Sequence, residues 1–124
     1  MRIEVSVGEI VDKLSILDIK RRKITDESKL YNIEKEYNYL YQIVFTDLKI
    51  DMNDYNKLLS INENLWEIED DIRLKEKNKI FDNDFIKLAR LVYVTNDHRF
   101  EVKKSINIKY KSNFYEEKSY ELYK

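Results

Sequence analysis

The sequence predicts an all-α fold: a four-helix bundle of two antiparallel hairpins, with a short extended N-terminal arm and a C-terminal tail packed on the bundle. Three observations support this prediction. The chain contains no proline and a single glycine, whereas sheets with tight turns usually need more of both. Apolar residues recur at helical spacing in four segments. Clusters of Ser, Thr, Asp and Asn, which are common helix caps, separate those segments.

The first predicted element is an arm followed by a long helix. Residues 2–5 alternate in a way that is typical of an extended arm or a short strand. Ser6 and Glu9 have the Ser-x-x-Glu spacing of a capping box. The apolar positions that follow predict a helix from about residue 7 to 24. Those positions are Val7, Ile10, Val11, Leu14, Leu17 and Ile24.

A second helix follows after a short polar connection. Residues 25–28, Thr-Asp-Glu-Ser, combine a stop signal with a new N-cap and acidic residues for the first turn. The apolar stripe behind them consists of Leu30, Ile33, Tyr37, Leu40, Tyr41 and Val44. Because the connection is short, helices one and two should form an antiparallel hairpin.

The second half of the chain predicts another helical pair. Residues 47–54 form a polar connection, at the end of which Asn53 or Asp54 is expected to cap helix three, from about residue 55 to 77. Helix four is expected from about residue 84 to 108, after a cluster of Asp and Asn. The tail that follows is rich in aromatic residues, so it should pack on the bundle or on a partner.

Composition limits the class of protein. A chain of 124 residues is expected to form one helical domain, residues 1–124. The formal net charge of −1 gives no field that would favour nucleic acid or a membrane surface. The absence of cysteine excludes disulfides and thiolate metal sites, and neither a signal peptide nor a membrane-spanning run is evident. We therefore expect a cytoplasmic protein that binds neither nucleic acid nor membrane.

Polar side chains interrupt the apolar stripes of helices three and four. On helix three, Asn62, Trp66, Glu69 and Arg73 recur at steps of four, three and four, so they share one face. On helix four, Asn96 lies at the centre of the apolar stripe. Lys103 and Asn107 follow in the same sector, with Arg99 at its edge. A buried polar group without a partner costs about 1–3 kcal/mol. These groups must therefore pair with one another or with a ligand.

Two interpretations of this polar sector remain open. In the first, the sector is a structural network in which Glu69 pairs with Arg73, Asn96 bridges helices and Lys103 reaches out to water. In the second, it lines a pocket for an anionic ligand, with arginine and lysine as charge-assisted donors and aromatic rings as flat walls. The candidate ligand-binding residues are Asn62, Trp66, Glu69, Arg73, Arg90, Tyr93, Asn96, Asp97, Arg99 and Lys104.

A magnesium site is a further hypothesis. Glu67, Asp70 and Asp71 project from one side of helix three, and Asp97 and Glu101 form an i, i+4 pair on helix four. The pattern partly resembles that of helical nucleotide pyrophosphohydrolases, although helix four lacks the second acidic pair in the required form. The alternative is a solvated acidic face. No other cofactor is predicted, and the single histidine, in position 98, is expected to be exposed.

Five stretches of the sequence form a specific combination. They are VSVGEIVDKLSILDIK (5–20), ITD (24–26), NENLWEIEDDIR (62–73), FIKLARLVYVTNDHRFEVKKSIN (85–107) and EEKSY (116–120). In this order they resemble an uncharacterised bacterial and phage family defined only as a domain of unknown function. The resemblance implies a small helical domain, found at times in surface-polysaccharide settings, which points weakly toward sugar nucleotides. It implies no activity.

The resemblance also bears on individual residues. The family pattern includes the polar residues of the two stripes and a tail motif, as matched here: Asn62, Trp66, Glu69, Asp70, Arg73, Arg90, Tyr93, Asn96, Asp97, Arg99, Asn107, Lys118, Ser119 and Tyr120. The chain departs from the pattern at Asn113, where the family tends to have a Gly-Ser turn.

Three functional hypotheses follow, and whether the protein is an enzyme stays open. The first is a small intracellular binding module whose polar pocket takes an anionic ligand bearing phosphate or carboxylate, nucleotides and sugar nucleotides included. The second is a Mg²⁺-dependent phosphoanhydride hydrolase. The third is a structural interaction protein that binds no ligand. Its buried polar network fixes helix register, and a tyrosine-rich face forms a homodimer or binds a protein partner.

Overall fold

The computed structural model describes residues 1–123 and confirms the all-α fold. The helices are α1 (Val7–Lys23), α2 (Glu27–Tyr41), α3 (Met52–Lys77) and α4 (Asn83–Lys109), and a π-helical segment (Gln42–Asp47) extends α2. No strand is present within the described range, so residues 2–5 are an arm without regular structure. None of the helices is long and apolar enough to cross a membrane.

Side-chain caps define where the helices begin. Ser6, Asp26 and Asp82 each accept a hydrogen bond from the backbone N–H three residues further on, at 3.2, 3.0 and 2.9 Å. The predicted Ser6 cap is confirmed, and Asp26 and Asp82 are the caps within the two predicted cap clusters. Only the serine side of the predicted capping box is seen, because the Glu9 carboxylate binds Lys103 of α4 instead.

The predicted cap of α3 is wrong. The helix begins one turn earlier, where the Asp51 carboxylate accepts a hydrogen bond from the Asn53 backbone N–H at 2.7 Å. Asp54 is instead buried, and one of its oxygens accepts from Lys109 Nζ and from the Tyr110 hydroxyl, each at 2.7 Å. The start of α3 is thereby tied to the end of α4, a long-range contact that local sequence patterns do not reveal.

The helix α1 lies at the centre of the fold. It packs against α2 on one side and against the α3–α4 pair on the other, while α2 contacts α1 and the π-helical segment alone among the described elements. The hydrophobic core therefore gathers around α1 and the first half of α3. Its members are Val11, Leu14, Leu17, Ile33, Leu40, Val44, Ile50, Tyr55, Leu58 and Ile106.

The distal part of the α3–α4 hairpin is much less buried than the rest. No residue from 66 to 102 is buried, whereas Leu65 and Lys103, which flank this range, are. We call residues 66–102 the outer hairpin. Its apolar side chains are partly buried or exposed, and none is fully buried, so it extends beyond the core as a pair of helices.

The C-terminal tail lies along α4, as predicted. Glu116 accepts a hydrogen bond from Lys103 Nζ at 2.9 Å, and the ring of Tyr123 meets the ring of Tyr93 edge to face at 5.2 Å. Asn113, where the sequence departs from the family pattern, makes a contact of its own. Its side-chain amide donates to Glu4 of the N-terminal arm at 2.9 Å. The arm and the tail thus contact each other beside the end of α4.

Gly8 lies where α1 meets α4 at close range. A Cβ atom there would lie 2.7 Å from the backbone oxygen of Lys103 and 3.1 Å from Asn107 Oδ1. In an unhindered helix interior, replacing glycine with alanine is stabilising by about 0.5–1 kcal/mol. We expect Gly8→Ala to lower the free energy of unfolding by roughly 1–3 kcal/mol, because the two helices must separate. Urea unfolding measures this, with exposed Lys13→Ala as the control, and a stabilised Gly8→Ala variant would contradict the close contact.

The Asp54 carboxylate should make the free energy of unfolding depend on pH. Its hydrogen bond from Lys109, helped by that from Tyr110, holds the pKa of Asp54 below the ordinary value of 3.8. A depressed pKa in the folded state gives stability that is present above the unfolded pKa and lost as pH falls through the folded one. We expect Asp54→Asn to be less stable than the parent at pH 7, with the difference shrinking below about pH 4. Urea unfolding of the parent and of Asp54→Asn at pH 7 and below about pH 4 tests this, with Glu117→Gln as the control. A difference in the free energy of unfolding that is the same at both pH values would refute it.

Candidate functional site

A column of polar side chains on α4 faces α1. Asn96, Arg99, Lys103 and Asn107 follow one another at steps of three and four residues, which places them on one side of the helix. Three of them meet α1: Asn107 accepts from the Gly8 backbone N–H, Lys103 donates to Glu9 and Arg99 donates to Asp12. Within residues 1–123 Asn96 accepts only from Arg99 of its own helix, so its predicted bridge between helices is not formed. This side of the α1–α4 interface is therefore polar along its length.

The Asp12–Arg99 ion pair contains the shortest hydrogen bond in this column. The Asp12 side chain is 1% exposed, and it accepts from Arg99 Nε at 2.9 Å and from Arg99 Nη2 at 2.5 Å. This hydrogen bonding raises the pKa of Arg99 further. A bidentate carboxylate fixes the plane of a guanidinium. Arg99 therefore has a defined orientation, although 28% of its side chain remains exposed.

Asn62 links α3 to the same carboxylate. Its amide nitrogen donates to Asp12 Oδ1 at 2.9 Å and to Ser15 Oγ at 2.7 Å, and the serine hydroxyl donates in turn to the backbone oxygen of Asp12. Both amide hydrogens are thus used. Within residues 1–123 no donor contacts the amide oxygen of Asn62, and no fully buried side-chain polar atom is unsatisfied. The oxygen therefore has access to the adjoining cavity.

An open cavity of about 370 Å³ adjoins this cluster, between α1, α3 and α4. Its polar lining consists of Asn62, Glu69, Asp70, Arg73, Asn96 and Arg99. Trp66, Leu65, Ile16 and Ile19 supply the apolar part. We call this space the central cavity. It combines a flat aromatic surface, two guanidinium groups and amide groups within one concave region.

Lys103 does not reach out to water, so that prediction is wrong. The residue is 6% exposed, and its ammonium group lies between Glu9 at 2.8 Å and Glu116 at 2.9 Å. Burial lowers the pKa of Lys103, but the two hydrogen bonds outweigh burial and the pKa is raised. A charged lysine with two carboxylate partners therefore joins α1, α4 and the tail.

The structure divides the candidate ligand-binding residues among separate places. Asn62, Trp66, Glu69, Arg73, Asn96 and Arg99 meet at the central cavity. Tyr93 and Asp97 line a second cavity, of about 600 Å³, between α4 and the tail. Arg90 and Lys104 are exposed and do not line the central cavity. The four cations proposed for an anion site are thus not brought together, and only the two arginines of the central cavity meet.

The Glu69–Arg73 pair differs from its predicted role in a buried network. Arg73 Nε donates to Glu69 at 3.2 Å, but the arginine side chain is 78% exposed and the glutamate 42%. The pair therefore lies at the rim of the central cavity. A surface pair of this kind contributes about 0–1 kcal/mol to stability. The pair therefore adds little to the stability of the fold.

The acidic residues considered for magnesium lie on the surface. Glu67, Asp70 and Asp71 are exposed, and of these Asp70 lines the central cavity. Across the part of the chain that the structure describes, no three or more His, Asp or Glu side chains are grouped so that they could hold a metal ion. His98 is exposed, and it lines the cavity beside the tail.

Sequence reasoning missed Asp12, the residue at the centre of the cluster. The polar residues that it placed beside the apolar stripe of α1 were Asp18 and Arg21. A second stripe exists at Gly8, Asp12, Ser15 and Ile19, with steps of four, three and four. A run of small and polar residues at that spacing, beside a complete apolar stripe, was the signal that could have shown a second buried face.

The Asp12–Arg99 pair should matter far more to stability than the pair at the cavity rim. Asp12→Asn leaves the guanidinium without its carboxylate, and we expect it to lower the free energy of unfolding by about 3 kcal/mol. Glu69→Gln, the matched control, should change it by less than about 1 kcal/mol. In a double-mutant cycle, Asp12→Asn and Arg99→Gln should cost much less together than the sum of each alone. Additive effects in urea unfolding would show that the two side chains do not interact.

Comparison with known proteins places the chain in a family. No curated protein and no solved structure shows a match to it. The sequence model of a family of unknown function (DUF6165) matches residues 1–123, so the resemblance to an uncharacterised domain family is confirmed over nearly the whole chain. The protein therefore belongs to this family of unknown function, DUF6165.

Proposed function

We propose that the protein is a binding module for a small anionic ligand that carries a phosphate or carboxylate group, and that the central cavity holds it. One observation supports this most directly: buried Asp12 holds Arg99 in a fixed orientation at the wall of that cavity. The cavity is open to solvent, and its volume of about 370 Å³ lies near the lower end of the range of about 300–1,000 Å³ that is typical of small-molecule sites.

Arg99 has donors to spare. A guanidinium carries five N–H groups. Asp12 accepts from two of its nitrogens, Nε and Nη2, and Asn96 Oδ1 lies 3.4 Å from Nη1. Two N–H bonds remain, on a group whose plane is already fixed. Because less rotational freedom is lost on binding, such a pre-organised arginine binds an oxyanion at lower entropic cost than a free one.

The opposite side of the cavity supplies complementary groups. Arg73 uses its Nε for Glu69, and its two terminal nitrogens make no hydrogen bond with residues 1–123. The Trp66 indole offers a flat apolar surface, and the amide oxygen of Asn62 can accept from a hydroxyl group. This set suits a ligand with an oxyanion at one end and a planar or hydroxylated part at the other, such as a nucleotide or a sugar nucleotide.

Charge alone would not draw an anion into the central cavity. Glu69 and Asp70 lie at its lining together with the two arginines, and Asp12 lies directly behind Arg99. Affinity must therefore come from directed hydrogen bonds and not from a positive field. It follows that replacing Arg73 with lysine should not preserve binding, since lysine lacks the planar donor fork.

The proposal is tested by ligand binding to the full chain and to two arginine variants. We would measure the binding of inorganic phosphate, citrate, ADP and UDP-glucose by thermal shift and calorimetry. At least one should raise Tm, since a ligand at 100 times its Kd stabilises the folded state by about 2.7 kcal/mol. Arg73→Gln should weaken that ligand by at least about tenfold, the loss of a charged hydrogen bond. Arg90→Gln, an exposed arginine on α4 outside the central cavity, should leave affinity unchanged.

Two results would overturn the proposal. The first is a Tm that none of the four compounds moves. The second is equal loss of affinity in Arg73→Gln and Arg90→Gln, which would show that binding depends on overall charge and not on this cavity.

A further inference from the structure

We propose that the outer hairpin, residues 66–102, binds a second copy of this chain side by side and antiparallel, so that four helices pack together. This inference does not depend on the proposed ligand. It starts from burial, because no residue of the outer hairpin is buried in the single chain. Two helices alone cannot cover their apolar stripes, whereas a four-helix arrangement can.

One face of the outer hairpin carries the apolar residues that need cover. Leu74 is 57% exposed, Ile80 is 42% exposed and Leu91 is 44% exposed. Leu74 and Ile80 line a shallow groove of about 440 Å³ between α3 and α4, with Leu88 at its floor. Leu91 lies one turn beyond Leu88 on α4 and extends the groove toward the core. We call this surface the groove face.

The groove face and the central cavity lie on different sides of α3. Asp71 and Leu74 line the groove, whereas Asp70 and Arg73 line the cavity. Adjacent residues of a helix point about 100° apart. A second copy on the groove face therefore leaves the entrance of the central cavity open, so both can be occupied at once.

The charges along α3 favour a second copy as the occupant. Residues 67–73 contain four acids against one arginine, and residues 74–79 contain three lysines against one acid. An antiparallel two-fold pair places the acidic part of each α3 against the lysine-rich part of the other. It also explains why Glu67 and Asp71 are exposed and make no ion pair within residues 1–123. Their partners in the other copy would be Lys77, which makes no ion pair within residues 1–123, and Lys79, whose exposed ammonium group lies 3.8 Å from Glu76 of its own chain.

The pairing predicts which residue lies at the two-fold axis. Leu74 is midway between Asp71 and Lys77, so it should face the same residue of the second copy. The chain contains no cysteine, and a single introduced cysteine therefore reports one contact. Oxidised Leu74→Cys should form a disulfide-linked dimer, whereas Ile108→Cys, 60% exposed on α4 outside the outer hairpin, should remain single.

Sedimentation and light scattering on the unmodified chain provide the main test. We expect twice the monomer mass, and we expect Leu74→Glu to shift the dissociation constant upward by at least about tenfold, since it buries an unpaired charge. Tyr31→Glu is the matched control on α2, where the tyrosine is 71% exposed. Circular dichroism of both variants would show that the helices are retained.

Charge reversal separates pairing from folding. Glu67→Lys with Asp71→Lys should be monomeric, and so should Lys77→Glu with Lys79→Glu, because each places like charges together. An equimolar mixture of the two double variants should restore the dimer mass. A monomeric wild-type chain, or a dimer that Tyr31→Glu breaks and Leu74→Glu does not, would overturn the proposal. So would a mixture that remains monomeric.

Discussion

The buried carboxylate of Asp12 is the constraint on which the arrangement of the helices depends. Moving a carboxylate out of water costs several kcal/mol unless its oxygens are satisfied. Here two oxygens receive three hydrogen bonds, from Arg99 on α4 and Asn62 on α3. Since the donors come from different helices, the position of α1 along both is fixed. Gly8 repeats the constraint one turn earlier, where only a residue without a side chain lets the backbones meet.

The apolar core and the polar column have different tasks. Leu14, Val11 and Leu58 are fully buried, and burial of this kind supplies most of the driving force for folding. It is not directional, however, so it defines the register of two helices less strictly than directed polar contacts do. Hydrogen bonds to a buried charge are directional and costly to break. Lys103, one turn beyond Arg99 on α4, donates to Glu9 of α1 and to Glu116, and so extends this register from the bundle to the tail.

The sequence predicted the helices well because their signals are local. Ser6, Asp26 and Asp82 cap helices through the third following residue, and short-range patterns predicted the first of these residues and the clusters that hold the other two. The site was only partly predictable, since its contacts join distant positions. Asp12 is 50 residues from Asn62 and 87 from Arg99. Lys103 shows the same limit: its place on the stripe was clear, but its two partners belong to α1 and the tail.

The buried contacts of the fold lie where α1 packs against α2, α3 and α4. The candidate binding surfaces lie beside them, on the less buried outer hairpin. Trp66 and Arg73 belong to the outer hairpin, while Asn62 belongs to the buried cluster. Surfaces that bind ligands are commonly drawn from less stable parts of a fold held by a rigid scaffold. The central cavity has one wall of each kind. Because Asp71 and Leu74 lie on the same turns of α3 as Asp70 and Arg73, a contact that covers the groove face also holds the α3 wall of the cavity in place.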